Sequence, residues 1–169
     1  MPGENPIYYW DACLFIAWLK DEERKIGEMD GVREVIERAK RREIKLITSV
    51  ITIVEVLSDS IPTGMDTLFK GAMKRINQIS VDIRVAGLAH DIRNDYVKRG
   101  GKTISTPDAI HLATAILYRA NEFHTFDADG SRKSLGLLQL SGNVAGNELV
   151  ICKPQATRPQ LDLRKPKPA

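Results

Sequence analysis

Four carboxylates stand in settings where surface acids rarely appear. Asp11 directly follows the apolar run Ile7-Tyr8-Tyr9-Trp10, and Glu55 lies within an otherwise apolar, β-branched stretch over residues 50–57. Asp108 follows Thr106-Pro107 at the head of an apolar helical pattern, and Asp127 directly follows Phe123-His124-Thr125-Phe126. A charge beside or within apolar sequence is costly unless a cation or hydrogen-bond donors compensate it. Each acid alone has an ordinary explanation, since an Asp after a strand is commonly a turn former or a helix cap. Four in such settings point to a shared cation. Hard oxygen donors suit Mg²⁺ or Mn²⁺ better than zinc. Clustered acids holding such ions make bound water more acidic and screen charge developing on phosphorus, which is the arrangement phosphodiester hydrolysis needs.

To gather these acids the chain must alternate strands with helices. Apolar runs predict strands over residues 7–10, 45–48, 79–83, 123–126 and 149–151. Between them, helical spacing predicts helices over 12–19, 31–43, 65–76 and 85–98; Val32, Val35, Ile36 and Ala39 recur at three- and four-residue steps in the second. Residues 50–57 are β-branched and ambiguous by propensity, yet Ser49 suits an N-cap and the alternation asks for a helix. Thr106-Pro107-Asp108 supplies a capping hydroxyl, a proline at the first helical position and an acid in the first turn, with the helix running to Leu117. The expected fold is α/β: three layers, with a mainly parallel central sheet of four to five strands and a ligand crevice at the strands' carboxyl ends.

The chain has 169 residues, 43% hydrophobic and 28% charged, which suits one compact domain. Its longest unbroken apolar run is the eight residues from Ala12 to Leu19, far short of the roughly 20 needed to span a bilayer, so an integral membrane protein is excluded. The N-terminal residues lack the charge and apolar stretch of a secretion signal, and a cytoplasmic protein is expected. Cys13 and Cys152 are too few for a disulfide framework or a zinc site of their own. Of the net charge of +3, residues 153–169 carry +4, so the body over residues 1–152 is nearly neutral and bulk electrostatics cannot bind nucleic acid to it. We therefore expect one domain over 1–152 and a basic, Pro-rich tail over 153–169, extended or disordered. Two local basic patches remain, Arg38 to Arg42 and Lys98-Arg99-Gly100-Gly101-Lys102. The second leads into Asp108, so Lys98, Arg99 and Lys102 are the candidates for holding substrate phosphates; a solvated helix end that complements the helix dipole is the alternative.

Tyr9-Trp10-Asp11-Ala12-Cys13-Leu14-Phe15-Ile16, Ser49 to Leu57, Thr106-Pro107-Asp108-Ala109-Ile110-His111-Leu112-Ala113-Thr114-Ala115 and Phe123-His124-Thr125-Phe126-Asp127-Ala128-Asp129 resemble, in order and spacing, the four motifs of PIN-domain proteins, especially the small VapC-type toxins. The resemblance covers roughly residues 7–152. It implies a PIN-like fold and a Mg²⁺- or Mn²⁺-dependent endoribonuclease that leaves a 5′-phosphate and a 3′-hydroxyl. The implied metal carboxylates are Asp11, Asp108 and Asp127. Glu55 would act through water, Asp129 is a candidate fifth acid, and Thr125 matches the hydroxyl residue placed near the attacking water. The resemblance also implies an RNA substrate, an antitoxin partner of a type II pair, and a homodimer. Cys13 departs from the serine or asparagine that many relatives carry there, which puts polar support from that position in doubt.

Other readings compete. A housekeeping RNA-processing nuclease would keep the same acids, and a non-catalytic PIN module that only binds RNA or protein would gain from losing them. Asp127-Ala128-Asp129 resembles the Asp-x-Asp of haloacid-dehalogenase phosphatases, but lies near the chain's end where that motif normally opens the domain. As an EF-hand loop it fails, with glycine two positions early and Leu138 in place of the closing Glu. His111, three residues after Asp108, reads as a packed, hydrogen-bonded histidine; His90, His124, Trp10 and Trp18 read as structural.

Overall fold

The computed structural model describes residues 3–58 and 61–157. Five strands form one all-parallel sheet: β1 (Ile7–Trp10), β2 (Lys45–Ser49), β3 (Asn77–Ile79), β4 (Glu122–His124) and β5 (Ile151–Cys152). Among the described residues six α-helices accompany them: α1 (Ala12–Lys20), α2 (Glu28–Lys40), α3 (Ile51–Ser58), α4 (Met65–Met73), α5 (Ile83–Arg99) and α6 (Thr106–Leu117). A 3₁₀ turn over Leu137–Leu140 precedes β5. None of the described helices is long and apolar enough to cross a membrane.

Alternation along the central strand makes the layers. Tyr9 of β1 pairs in register with Ile47 and Phe123, and this face packs on Ile92 and Tyr96 of α5 and Leu112 of α6. Trp10 points to the other face, with Leu14 and Phe15 of α1, Val32 of α2 and Phe69 of α4. The result is the three-layer α/β/α arrangement that alternation predicts. The strand order β3-β2-β1-β4-β5 reverses direction at β1, so the chain leaves β1 toward α1 on one face of the sheet and leaves β4 toward the 3₁₀ turn on the other, the switch point at which ligands bind in open α/β sheets.

Several element limits differ from the sequence reading, each for a local reason. β3 ends at Ile79, because the Asp82 side chain accepts bonds from the Arg84 and Val85 amides and starts α5 there, leaving Ile83 on the helix. α2 begins at Glu28, since Gly27 adopts φ +88° and Glu28 and Asp30 suit the positive end of the helix dipole. The cap of α6 is Ser105, whose hydroxyl accepts from the Asp108 amide, while Thr106 is already helical.

Residues 153–157, the expected start of the tail, lie against α2. Lys153 pairs with Glu28 at 2.6 Å, and Thr157 bonds Glu34 through its amide at 2.9 Å and through its hydroxyl. The rest of the expected tail, residues 158–169, is outside the described residues. The close approach depends on Gly31, where a Cβ would meet the Pro154 carbonyl oxygen at 2.1 Å. Gly31→Ala should therefore lift this segment and cost roughly 1–3 kcal/mol of overpacking. Urea unfolding measures the loss, and faster protease cleavage after Cys152 reports the lifting.

Candidate active site

Asp11 is the first residue past β1 and occupies the N-cap position of α1, yet its side chain makes no cap hydrogen bond. The Asp11 amide reaches the His124 carbonyl at 3.5 Å, extending the β1–β4 pairing by one residue and setting Asp11 beside Thr125. The side chain is about 5% exposed, and the Cys13 thiol donates to its Oδ1 at 2.7 Å. Burial pushes the Asp11 carboxyl above its ordinary value; nearby His111, Cys13 and Thr125 oppose the rise, and Glu55 adds to it. Cys13, though a weaker hydrogen-bond partner than serine or asparagine, thus supplies a donor to Asp11. Its thiol keeps its proton because burial and the neighbouring Asp11 push it well above the usual thiol range.

α6 carries Asp108 in its first turn. Burial raises its carboxyl too, the Ser105 hydroxyl lowers it, Asp11 and Asp127 repel it further upward, and His111 acts against them. The loop before α6 is tied down by Arg93 Nε, which donates to the Ile104 carbonyl at 2.9 Å.

Asp127 combines two roles. Its Oδ1 accepts from the Gly130 amide at 2.9 Å and its Oδ2 from the Leu137 amide at 3.3 Å, so it closes the turn after β4. Each carboxylate oxygen keeps a lone pair beyond these single bonds. The Asp127 amide in turn donates to Thr125 Oγ1 at 3.1 Å, which also lies 3.5 Å from Cys13 Sγ. Thr125 is fully buried.

Glu55 reaches the group from α3. Its Oε2 lies 2.6 Å from His111 Nε2, and Tyr9 Oη lies 2.5 Å from His111 Nδ1. His111 is about 1% exposed. Tyr9 keeps its proton, since burial pushes the phenol well above its ordinary value.

The fold therefore brings Asp11, Glu55, Asp108, Asp127 and Thr125 near one another at the carboxyl ends of β1 and β4. Asp129 is exposed on the turn after Asp127. Lys98 and Arg99 end α5 and Lys102 lies exposed in the loop leading to α6, at the same end of the molecule. Of these three cations Arg99 is engaged, paired with Asp95 at 2.6 Å and lying 4.5 Å over the Tyr96 ring. Sequence reasoning missed Arg24, whose guanidinium stacks 3.8 Å over Phe126 beside the site while pairing with Glu22. No spacing rule links these residues, so only the loop's path could reveal the contact.

A second group spans β4 and β5. Among the described residues, Glu122, His124 and Cys152 place ligand atoms within 4.8 Å of one another. Its hydrogen bonds are already closed. The Trp10 indole N–H can only donate, and it donates to His124 Nδ1 at 3.1 Å; the ring proton is therefore on Nε2, which donates to Glu122 at 2.6 Å. A cation at Nε2 would drive that proton to Nδ1, against the buried indole N–H. We read the group as a hydrogen-bonded support for β4. The His124 bond holds the Glu122 carboxyl below its usual range. A depressed acid stabilises the fold above the unfolded-state value and loses that contribution as pH falls through the folded one. Glu122→Gln should therefore flatten the acid limb of a pH-stability curve. The effect should stay below about 1 kcal/mol, because solvent screens this partly exposed pair.

Comparison with known proteins follows the same geometry. A family model described as "PIN domain" matches residues 8–134. None of the curated proteins matches the chain. Among solved structures, a toxin-antitoxin complex from Klebsiella pneumoniae superposes with TM-score 0.54 at 22% identity, covering 72% of this chain and 88% of that one. FitAcB from Neisseria gonorrhoeae gives TM-score 0.60 at 16% identity, covering 87% and 97%. VapC20 from Mycobacterium tuberculosis, described as a sarcin-ricin loop cleaving toxin, gives 0.52 at 12% identity, covering 72% and 91%. At these identities the likeness is one of fold.

Proposed function

Because the chain belongs to the PIN-domain family, we propose that it is a Mg²⁺- or Mn²⁺-dependent endoribonuclease acting as the toxin of a type II toxin-antitoxin pair. The observation that carries this reading is the run of contacts that ties Asp11 through Cys13 and Thr125 to Asp127 at the carboxyl ends of β1 and β4, with Asp108 of α6 near enough for both acids to act on its carboxyl. Neighbouring toxin-antitoxin structures support the antitoxin partner, and a homodimer belongs to the same reading.

The residues fit a hard divalent ion. Asp11 is buried and Asp108 partly so, both are pushed upward by desolvation with no Lys or Arg among the groups acting on them, and the donors are oxygens. A cation supplies the missing positive charge. In this reading Asp11, Asp108 and Asp127 hold the ion, Glu55 acts through water, and Asp129 lends outer negative charge. When bound, the ion activates water and offsets charge on the phosphate. Thr125 orients the nucleophilic water from a buried position fixed by the Asp127 amide. Cys13 keeps one Asp11 oxygen oriented by donating to it. Lys98, Arg99 and Lys102 hold backbone phosphates beside the crevice, positioning the RNA without reading bases.

The test is cleavage of a structured RNA by the purified chain. Mn²⁺ or Mg²⁺ should support cutting, EDTA should stop it, and restoring Mn²⁺ should return it. Cutting that continues in EDTA contradicts the metal assignment. Strong expression that leaves growth unaffected contradicts the toxin role.

A further inference from the structure

We propose that His111 is the positioning residue of Glu55: the end of a buried hydrogen-bond chain that occupies Glu55 Oε2 and leaves Oε1 as the atom facing the crevice. The inference rests on the nuclease reading above and assigns a residue to that same site.

The Ser49 amide donates to Tyr9 Oη at 3.1 Å. Tyr9 Oη in turn lies 2.5 Å from His111 Nδ1, which fixes the rotation of the ring. A carboxylate oxygen accepts, so His111 Nε2 carries a proton and donates to Glu55 Oε2 at 2.6 Å. The members come from β2, β1, α6 and α3, so four elements fix one carboxylate. Glu55 lies on α3 beside the exposed Val54 with its side chain about 30% exposed, and the bond to His111 is what orients the carboxylate. His111 cannot also bind a cation through Nε2 without surrendering its proton, so it acts through Glu55. Partners that orient site carboxylates typically change metal affinity or activity by about 10–100-fold when removed.

The test compares His111→Leu, which fills the space without a donor, and His111→Gln, which keeps an amide N–H near the Nε2 position. Both are made in the parent chain and in Glu55→Ala. Mn²⁺ affinity is measured by calorimetry without RNA, kcat and KM by RNA cleavage, and folding by thermal melting. The leucine variant should lose about 10–100-fold in kcat at unchanged KM and bind Mn²⁺ more weakly, with the glutamine variant restoring most of the loss. On the Glu55→Ala background, His111→Leu should add nothing, because the residue acts only through the acid already removed. Multiplying losses in the double variant, or parent-like kcat and Mn²⁺ affinity in His111→Leu, would overturn the proposal. If the parent chain cleaves no RNA while the Mn²⁺ affinities still show the non-additive pattern, the nuclease reading fails and the positioning role stands.

Discussion

Asp108→Asn is expected to lower RNA cleavage by at least about a hundredfold, the upper end of what losing an outer-shell partner costs a metal site. The substitution is nearly isosteric, so the change is in charge and in the loss of an anionic ligand. Asp108 sits in the first turn of α6, where the Ser105 cap holds the helix start independently of the carboxylate. The fold should therefore survive, and the metal-free protein should become more stable. The sign follows from the carboxyls: burial raises both Asp108 and Asp11, and repulsion adds to the rise, from Asp11 and Asp127 at Asp108 and from Glu55 at Asp11. An acid with a raised folded value favours the fold most at low pH, and its ionisation costs stability as pH rises past the ordinary carboxylate range toward the raised value. Asparagine removes one such cost at neutral pH. In a chain of this size about 1 kcal/mol corresponds to roughly 2–4 °C in Tm, so a gain of a few degrees is expected without metal. Mn²⁺ should raise the Tm of the parent chain more than that of the variant, since a ligand stabilises only as far as it binds the native state. Equal cleavage by the two proteins would remove Asp108 from the active site; a fall in metal-free Tm would contradict the electrostatic account.

Gly136→Ala should damage the site from the opposite wall. A Cβ at Gly136 would meet the Ala128 carbonyl oxygen at 2.2 Å and its carbon at 2.5 Å. Both are backbone atoms, so the clash cannot be relieved by turning a side chain. The turn over residues 127–130 must shift away from the 3₁₀ segment, taking with it the Asp127 carboxylate that accepts from the Leu137 amide. Overpacking of this kind costs about 1–3 kcal/mol. The activity loss should exceed what the unfolded fraction explains, because a folded Gly136→Ala protein still carries a displaced Asp127. Mn²⁺ titration at a temperature where the variant is fully folded separates the two effects. Gly87→Ala is the control: no atom lies within 4 Å of its Cβ on α5, and replacing a mid-helix glycine should gain roughly 0.5–1 kcal/mol. If Gly136→Ala bound Mn²⁺ like the parent chain, Asp127 would not depend on this contact.

The acids were legible because local sequence places them. A carboxylate directly after an apolar strand or in a capped first turn has its position set by the element beside it, so Asp11, Asp108 and Asp127 could be named from patterns within a few residues. The helix after β2 was legible for a different reason. β-branched residues 50–57 gave no clear propensity, but parallel strands require a crossover between them, and topology decided for α3. The limits of β3 and α6 were not legible. They depend on whether Asp82 or Ser105 turns its side chain back to cap a helix, a choice among several polar residues that sequence leaves nearly equal.

The sequence by itself determined the alternation of elements, the apolar faces that stack into three layers, and the identity of the acids, because periodicity and capping act over one or two helical turns. Tertiary structure decided which donors reach the oxygens of each acid. The Cys13 thiol on Asp11, the two amides on Asp127 and the imidazole on Glu55 are such choices. Tyr9 and His111 are 102 residues apart, and His111 and Glu55 are 56 apart. Hydrogen bonds are short and directional, so a pattern along the chain can show that a polar group will be buried, while only the packed arrangement of four elements fixes what it will face.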